Sequence, residues 1–175
     1  MKTKTINLYS FSELSEEAKR KALESWGNDN MKYFWGDDAI KSLLKFVEHF
    51  NGSLTNYQID FLEPACNSYK LSIPENMPEK DIFDLLNELG SYNKKTLRGE
   101  GECKLTGYCM DEELIDGFRK SWFSGERDLR ELINAGISQW EITVRKDYEF
   151  EFTMEFFADH ADVNGLEFDE EGNLI

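Results

Sequence analysis

Apolar positions along the chain follow two periods, and each period predicts an element. Leu14, Ala18, Ala22 and Trp26 recur every four residues, which places them on one stripe of a helix. Ser10 and Glu13 have capping-box spacing, and Ser15 followed by Glu16 and Glu17 is a second good N-terminus. A first helix is therefore predicted over residues 13–26, ended by Gly27. Asp37 opens a second, with Ile40, Leu43, Leu44, Val47 and Phe50 as its apolar face and Asn51-Gly52 as its stop. Tyr57, Ile59 and Phe61 alternate with Gln58 and Asp60, and Tyr69, Leu71 and Ile73 repeat that period up to Pro74. Two neighbouring strands, each with one wet face, are expected there. Residues 5–9 alternate loosely and read as a short first strand. Pro78 opens a third helix carrying Ile82, Phe83, Leu86 and Leu89, closed by Gly90. Residues 91–104 read as a polar loop, and Leu105, Tyr108 and Cys109 as a short strand. Asp111 caps a fourth helix with Leu114, Ile115, Phe118 and Trp122.

The stretch after Asp128 satisfies both periods. Leu129, Leu132, Ile133, Ile137, Trp140, Val144 and Tyr148 have helical spacing, yet Trp140-Ile142-Val144 and Tyr148-Phe150-Phe152-Met154 also alternate strictly. Periodicity alone does not choose between them. Arg145-Lys146-Asp147 would have to turn a hairpin without Gly or Asn, which favours one helix over residues 127–151. Thr153 with Phe156, Phe157 and Ala161 predicts a short last helix, and residues 166–175, turning at Asp169-Glu170-Glu171-Gly172, a terminal hairpin. The expected fold class is α+β: several helices packed on a small, mainly antiparallel sheet, in a single domain spanning residues 1–175.

Charge changes the picture more than composition does. The chain has 35 acidic and 20 basic side chains among 175 residues, a formal net charge of −15. Residues 1–146 hold 25 of the acids and all 20 bases, whereas residues 147–175 hold 10 acids and no base. Those acids are Asp147, Glu149, Glu151, Glu155, Asp159, Asp162, Glu167, Asp169, Glu170 and Glu171. Asp147, Glu151, Glu155 and Asp159 are spaced by four and would share one face of a helix that ran through all of them. Tyr148, Phe150, Phe152, Phe156, Phe157 and Phe168 are interleaved with the acids. An acidic surface is repelled by phosphates and by anionic membranes and attracted to basic grooves, so neither nucleic acid nor membrane is an expected partner. Such a tail is also the ordinary way to keep a protein solvated, with the aromatics in the core.

Chemistry-bearing motifs are scarce. No nucleotide-binding glycine motif or nucleophile elbow occurs. Cys103 and Cys109 stand too far apart for a zinc pair with His49 or His160. Neither a metal nor a cofactor is expected, and no catalytic residue. The three cysteines read as reduced thiols, and no apolar signal segment follows Lys2 and Lys4. Trp26, Trp35, Trp122 and Trp140 read as core anchors; Tyr33-Phe34-Trp35 is a candidate exposed contact.

Three stretches resemble a broad family of small proteins encoded by bacteriophages and prophages: the opening from Asn7 to Lys19, the segment from Lys104 to Asp111, and the ending from Asn164 to Gly172. The resemblance implies a helix before the last hairpin and a phage gene product acting in a bacterial cytoplasm. Small acidic phage proteins of that kind include inhibitors of host-defence nucleases, anti-CRISPR proteins among them. Expected from this is a non-enzymatic inhibitor. Its acidic C-terminal segment, the ten carboxylates from Asp147 to Glu171, would occupy the basic surface of a nucleic-acid-processing or CRISPR-associated nuclease. The alternatives are a binder of a small nucleotide signal, for which Lys94, Lys95, Arg98 and Lys104 are the loop candidates, and an acidic accessory protein without nucleic-acid mimicry.

Overall fold

The computed structural model describes residues 7–30, 36–60, 66–93, 98–100, 105–106 and 110–175. The chain forms two compact units: unit 1 joins Met1–Phe34 to Asp147–Ile175, and unit 2 is Trp35–Lys146. Among the described residues there are six α-helices and two antiparallel strand pairs, an α+β architecture.

In unit 1, residues Phe11–Glu13 make one 3₁₀ turn before α1 (Glu16–Asn30). The Glu13 carboxylate accepts from the Ser10 backbone N–H and hydroxyl, both at 2.8 Å, which holds its pKa below the usual carboxylate value. The helix proper begins one motif later, where Ser15 Oγ accepts from the Ala18 N–H at 3.2 Å. It does not stop at Gly27, which keeps helical geometry and where an added Cβ would find the Phe152 ring at 3.4 Å. The predicted stripe is the inner face: Leu14, Ala18 and Ala22 are buried with Phe11, Phe157, Ala161 and Phe168, and Trp26 packs on their edge. Phe11 meets Phe157 edge-on at 4.9 Å and Phe168 at 5.9 Å, favourable aromatic geometry. α6 (Met154–Val163) supplies Phe157 and Ala161. The terminal hairpin forms as predicted, with Phe168 bridging both Tyr9 and Leu174. It thus borders the chain's opening segment.

Unit 2 holds α2 (Gly36–His49), β1 (Ser53–Gln58), β2 (Ser68–Ser72), α3 (Glu79–Glu88), β3 (Ser91–Asn93), β4 (Arg98–Glu100), α4 (Met110–Phe123) and most of α5 (Leu129–Glu151). α2 ends in a Schellman motif: the Gly52 N–H reaches Val47 O at 3.0 Å, the Asn51 N–H reaches Glu48 O at 2.9 Å, and Asn51 takes the left-handed conformation at φ 56°. Asparagine, not the glycine beside it, is the turn residue. Buried on α2 are Ala39, Leu43, Phe46 and Val47, with Phe50 just beyond it, while Ile40 and Leu44 are half-buried. Phe50 stacks on Phe118 at 4.5 Å.

β1 and β2 pair antiparallel, but the strand starts earlier than its alternation predicts. Asn56 at φ 51° shifts the register between Thr55 and Gln58, so Leu54 is the buried position and Tyr57 is exposed. Residues 91–93 and 98–100 pair as strands where a loop was expected. Leu105 and Thr106 form a bend, and the rest of that predicted strand lies outside the described residues, as do Phe61, residues 5–6 and Tyr33-Phe34-Trp35.

α5 is one helix. The reason is visible in burial: Leu132, Ile133, Ile137, Trp140 and Val144 are all at most 1% exposed, whereas Ile142, which a strand would place on the same side as Trp140 and Val144, is 51% exposed. α5 crosses α4 through glycine. A Cβ on Gly117 would lie 2.5 Å from Ala135 O, and one on Gly136 would lie 2.7 Å from Leu114 O. At the head of α4, the buried Asp111 carboxylate accepts from the Thr106 N–H and hydroxyl at 2.8 Å, and the Thr106 hydroxyl also meets Ser42 Oγ at 3.1 Å. The buried Arg119 guanidinium donates to Gly90 O at 2.7 Å. Both buried charges thus have polar partners, as burial demands.

Candidate functional site

Every one of the ten C-terminal carboxylates belongs to unit 1. That unit carries 15 acidic and 6 basic residues, net −9, against 20 and 14, net −6, in unit 2. Glu149, Glu155, Asp159, Asp162, Glu167, Glu170 and Glu171 are exposed; Asp147, Glu151 and Asp169 are half-buried. The acids come from three elements: the end of α5, the outer side of α6, and the terminal hairpin.

The four-residue acidic ladder does not form on one helix. The chain breaks between Glu151 and Met154, where Thr153 takes an extended conformation at ψ 154°. Its Oγ1 accepts from the Phe156 N–H at 3.2 Å and donates to Phe150 O at 2.8 Å, so one hydroxyl closes α5 and starts α6. Asp147 and Glu151 therefore end one helix, while Glu155 and Asp159 belong to the next. Glu155 lies in the first turn of α6, where a carboxylate is favourable.

Asp169 has a structural task. Its carboxylate accepts from the Asn173 N–H at 2.9 Å, the Asn173 side-chain amide at 2.7 Å and the Glu171 N–H at 3.0 Å. These bonds, with Lys21 adding a weaker attraction, depress its pKa. Glu171 lies 3.8 Å from Lys21 Nζ, both well exposed, a pair of small energetic weight. Because the folded pKa of Asp169 is below its unfolded value, its contribution is complete above the ordinary carboxylate range and is lost as pH falls through the depressed value. The protection of the Glu171 and Asn173 amides against exchange is expected to fall at acid pH before that of the core amides. Asp169→Asn should lower that protection already at neutral pH and remove its dependence on pH. Asp116, on α4, works in the opposite direction: burial, then the neighbouring Glu112, raises its pKa, so its contribution improves on acidification.

The interleaved aromatics divide. Phe157, Phe168 and Tyr148 are buried; Phe152 and Phe156 are half-buried; Phe150 is 48% exposed and meets Phe156 edge-on at 5.6 Å. Of the tryptophans, Trp122 and Trp140 are buried, Trp26 is half-buried against Phe157 and His160, and Trp35 lies outside the described residues. His49 Nε2 is 2.8 Å from Leu85 O. Cys103 and Cys109 lie outside the described residues, and no group of three metal-ligating side chains occurs among those described. No helix among the described residues is long and apolar enough to cross a membrane.

Two concave features had no signature in local spacing. In unit 2, a recess of about 510 Å³ is lined by Lys70, Arg127 and Arg130 together with Glu75 and Asp128. Arg127 donates to Trp122 O and Glu126 O, and lies 3.3 Å from Glu79; Arg130 donates to Leu71 O. Of the basic loop candidates, Lys94, Lys95 and Lys104 lie outside the described residues, and Arg98 enters β4. In unit 1, a groove of about 640 Å³ opens between the Ser10–Lys19 segment and α6. Its walls come from opposite ends of the chain, which no local pattern can pair. Comparison with protein-family models, curated proteins and solved structures found no match to this chain.

Proposed function

We propose that the protein is a phage-type inhibitory binding protein, without catalysis of its own. In this reading it lays the acidic surface of unit 1 on a basic, nucleic-acid-binding surface of a host defence protein in the bacterial cytoplasm. The observation that carries the reading is the concentration of charge. Residues 147–175 contain no base, and seven of their ten carboxylates are exposed on one compact unit. Carboxylates so displayed stand in for phosphates and speed encounter with a positive patch. Phe150 offers an aromatic contact beside them. The phage setting rests on the resemblance of the three sequence stretches.

The test is capture of basic proteins from bacterial lysate on the immobilised protein, washed at stepped salt and with double-stranded DNA as competitor. Capture is expected to be reversed by salt and by DNA. Glu155→Lys, Glu167→Lys and Glu170→Lys together should cut it about tenfold at low salt and weaken its salt dependence. Unchanged capture by the triple variant overturns the reading. A second reading is a binder of a small nucleotide signal; what supports it in unit 2 is a recess whose lining includes Lys70, Arg127 and Arg130. A thermal-shift panel of nucleotides, with Lys70→Glu as the matched variant, reads it directly.

A further inference from the structure

We infer that the unit 1 groove is a docking site for a short polypeptide segment that is both basic and apolar. A Lys or Arg head would lie beside Asp159 and Asp162, with a neighbouring aliphatic side chain on the floor. The inference rests on the proposal above that the acidic unit is a docking surface, and it specifies what part of a partner that surface grips.

The floor is apolar. It is built by Phe11, from the unit 1 core, and by Met154, Ala158 and Leu166, packed against that core. A Schellman motif brings Leu166 there: the Gly165 N–H bonds Asp162 O at 3.1 Å, the Leu166 N–H bonds Ala161 O at 2.9 Å, and Gly165 turns at φ 59°. The chain thus reverses at the end of α6 and folds Leu166 back instead of releasing it to solvent. A volume of about 640 Å³ falls inside the range of sites that hold small ligands or a few side chains, about 300–1,000 Å³.

The rim is charged, and its charge is one-sided. Glu16 and Lys19 line one wall and pair with each other at 3.0 Å, so they contribute almost no net charge. Asp159 and Asp162 line the other wall, exposed, three residues apart on the same side of α6. Neither makes an ion pair among the described residues. Asp162 stands in the last turn of α6, where the carbonyl end of the helix adds negative potential. An anion is repelled by this rim, and a purely apolar ligand leaves the two carboxylates to be partly desolvated without a partner. A cationic head on an apolar stem satisfies both walls, because Lys and Arg carry such stems.

The test is fluorescence anisotropy of the full chain with three labelled peptides: one of lysine and leucine, one of equal charge made of lysine and glycine, and a neutral one of leucine and serine. The lysine–leucine peptide is expected to bind about tenfold more tightly than the lysine–glycine peptide, and the neutral one not measurably. Ala158→Arg, which fills the floor with a cation, should abolish that preference. Asp159→Asn with Asp162→Asn, both at exposed positions, should weaken binding without lowering Tm, so the outcome does not depend on the floor variant folding. Equal binding of the two cationic peptides, indifferent to Ala158→Arg, overturns the groove and leaves the diffuse acidic surface standing. No binding of either cationic peptide at low salt also overturns the groove. Failure of the wider proposal reads out elsewhere, in DNA-competed capture that ignores the Glu155, Glu167 and Glu170 reversals, none of which lines the groove.

Discussion

Gly172→Ala is expected to destabilise unit 1 by about 3 kcal/mol or more, with the terminal hairpin released first. Two independent costs meet at this position. The backbone is at φ 83°, a region that side chains with a Cβ rarely enter. A Cβ there would also overlap the Ala18 carbonyl and lie 2.9 Å from its carbon. Those atoms are helix backbone, so neither a rotamer change nor a flexible tip relieves the contact. The hairpin would have to lift from α1, uncovering Phe168, which is 1% exposed. Thermal melts and amide exchange at Asn173 check this. Gly165→Ala is the matched control: it has positive φ at 59° but nothing within 4 Å of its Cβ, so it should show the conformational cost alone. A loss at Gly172→Ala no larger than at Gly165→Ala would refute the steric argument.

Gly136→Val and Gly117→Val are expected to destabilise unit 2 by about 2 kcal/mol or more each. Replacing glycine inside a helix ordinarily gains up to about 1 kcal/mol with alanine, so the sign is set by packing. At Gly136 a Cβ meets Leu114 O at 2.7 Å and Phe46 Cζ at 2.9 Å; at Gly117 it meets Ala135 O at 2.5 Å and Gln139 Cβ at 2.7 Å. The two glycines belong to one crossing of α4 and α5, so forcing the helices apart at one relieves the other. The double variant should lose less than the two singles combined. Gly27→Ala, whose Cβ finds the Phe152 ring at an ordinary 3.4 Å, should instead be neutral or stabilising. Chemical denaturation of the four variants separates propensity from packing. Gly117→Val and Gly136→Val as stable as Gly27→Ala would mean that the helices do not cross here.

Much of the fold is legible in the sequence because it depends on neighbours a few residues away. The stripe Leu14-Ala18-Ala22, the start at Ser15, the Schellman stop after α2, the Thr153 cap and the turn after Phe168 are all local arrangements. The candidate site is legible in its charge and not in its shape. A count along the chain locates the ten carboxylates, but four-residue spacing from Asp147 to Asp159 promises a continuous ladder that the extended Thr153 interrupts. The same local reading stops α1 at Gly27, where the helix in fact runs on to Asn30. It cannot decide between helix and hairpin from the alternation at residues 140–154, because burial of Trp140 and Val144 with exposure of Ile142 is a property of the packed core.

By itself, then, the sequence determined the class of elements, most of their caps, and the concentration of uncompensated acid in the last 29 residues. Each of these follows from interactions within about two helical turns, which spacing records directly. Only the tertiary structure decided that glycines let α4 and α5 meet, and its burial pattern settled the helix that the missing turn residues favour. It also decided that Phe11 and Leu166, from opposite ends of the chain, floor a groove rimmed by Asp159 and Asp162. Those outcomes depend on which surfaces exclude water against each other, between segments that spacing does not relate: α4 and α5 in one case, the two ends of the chain in the other.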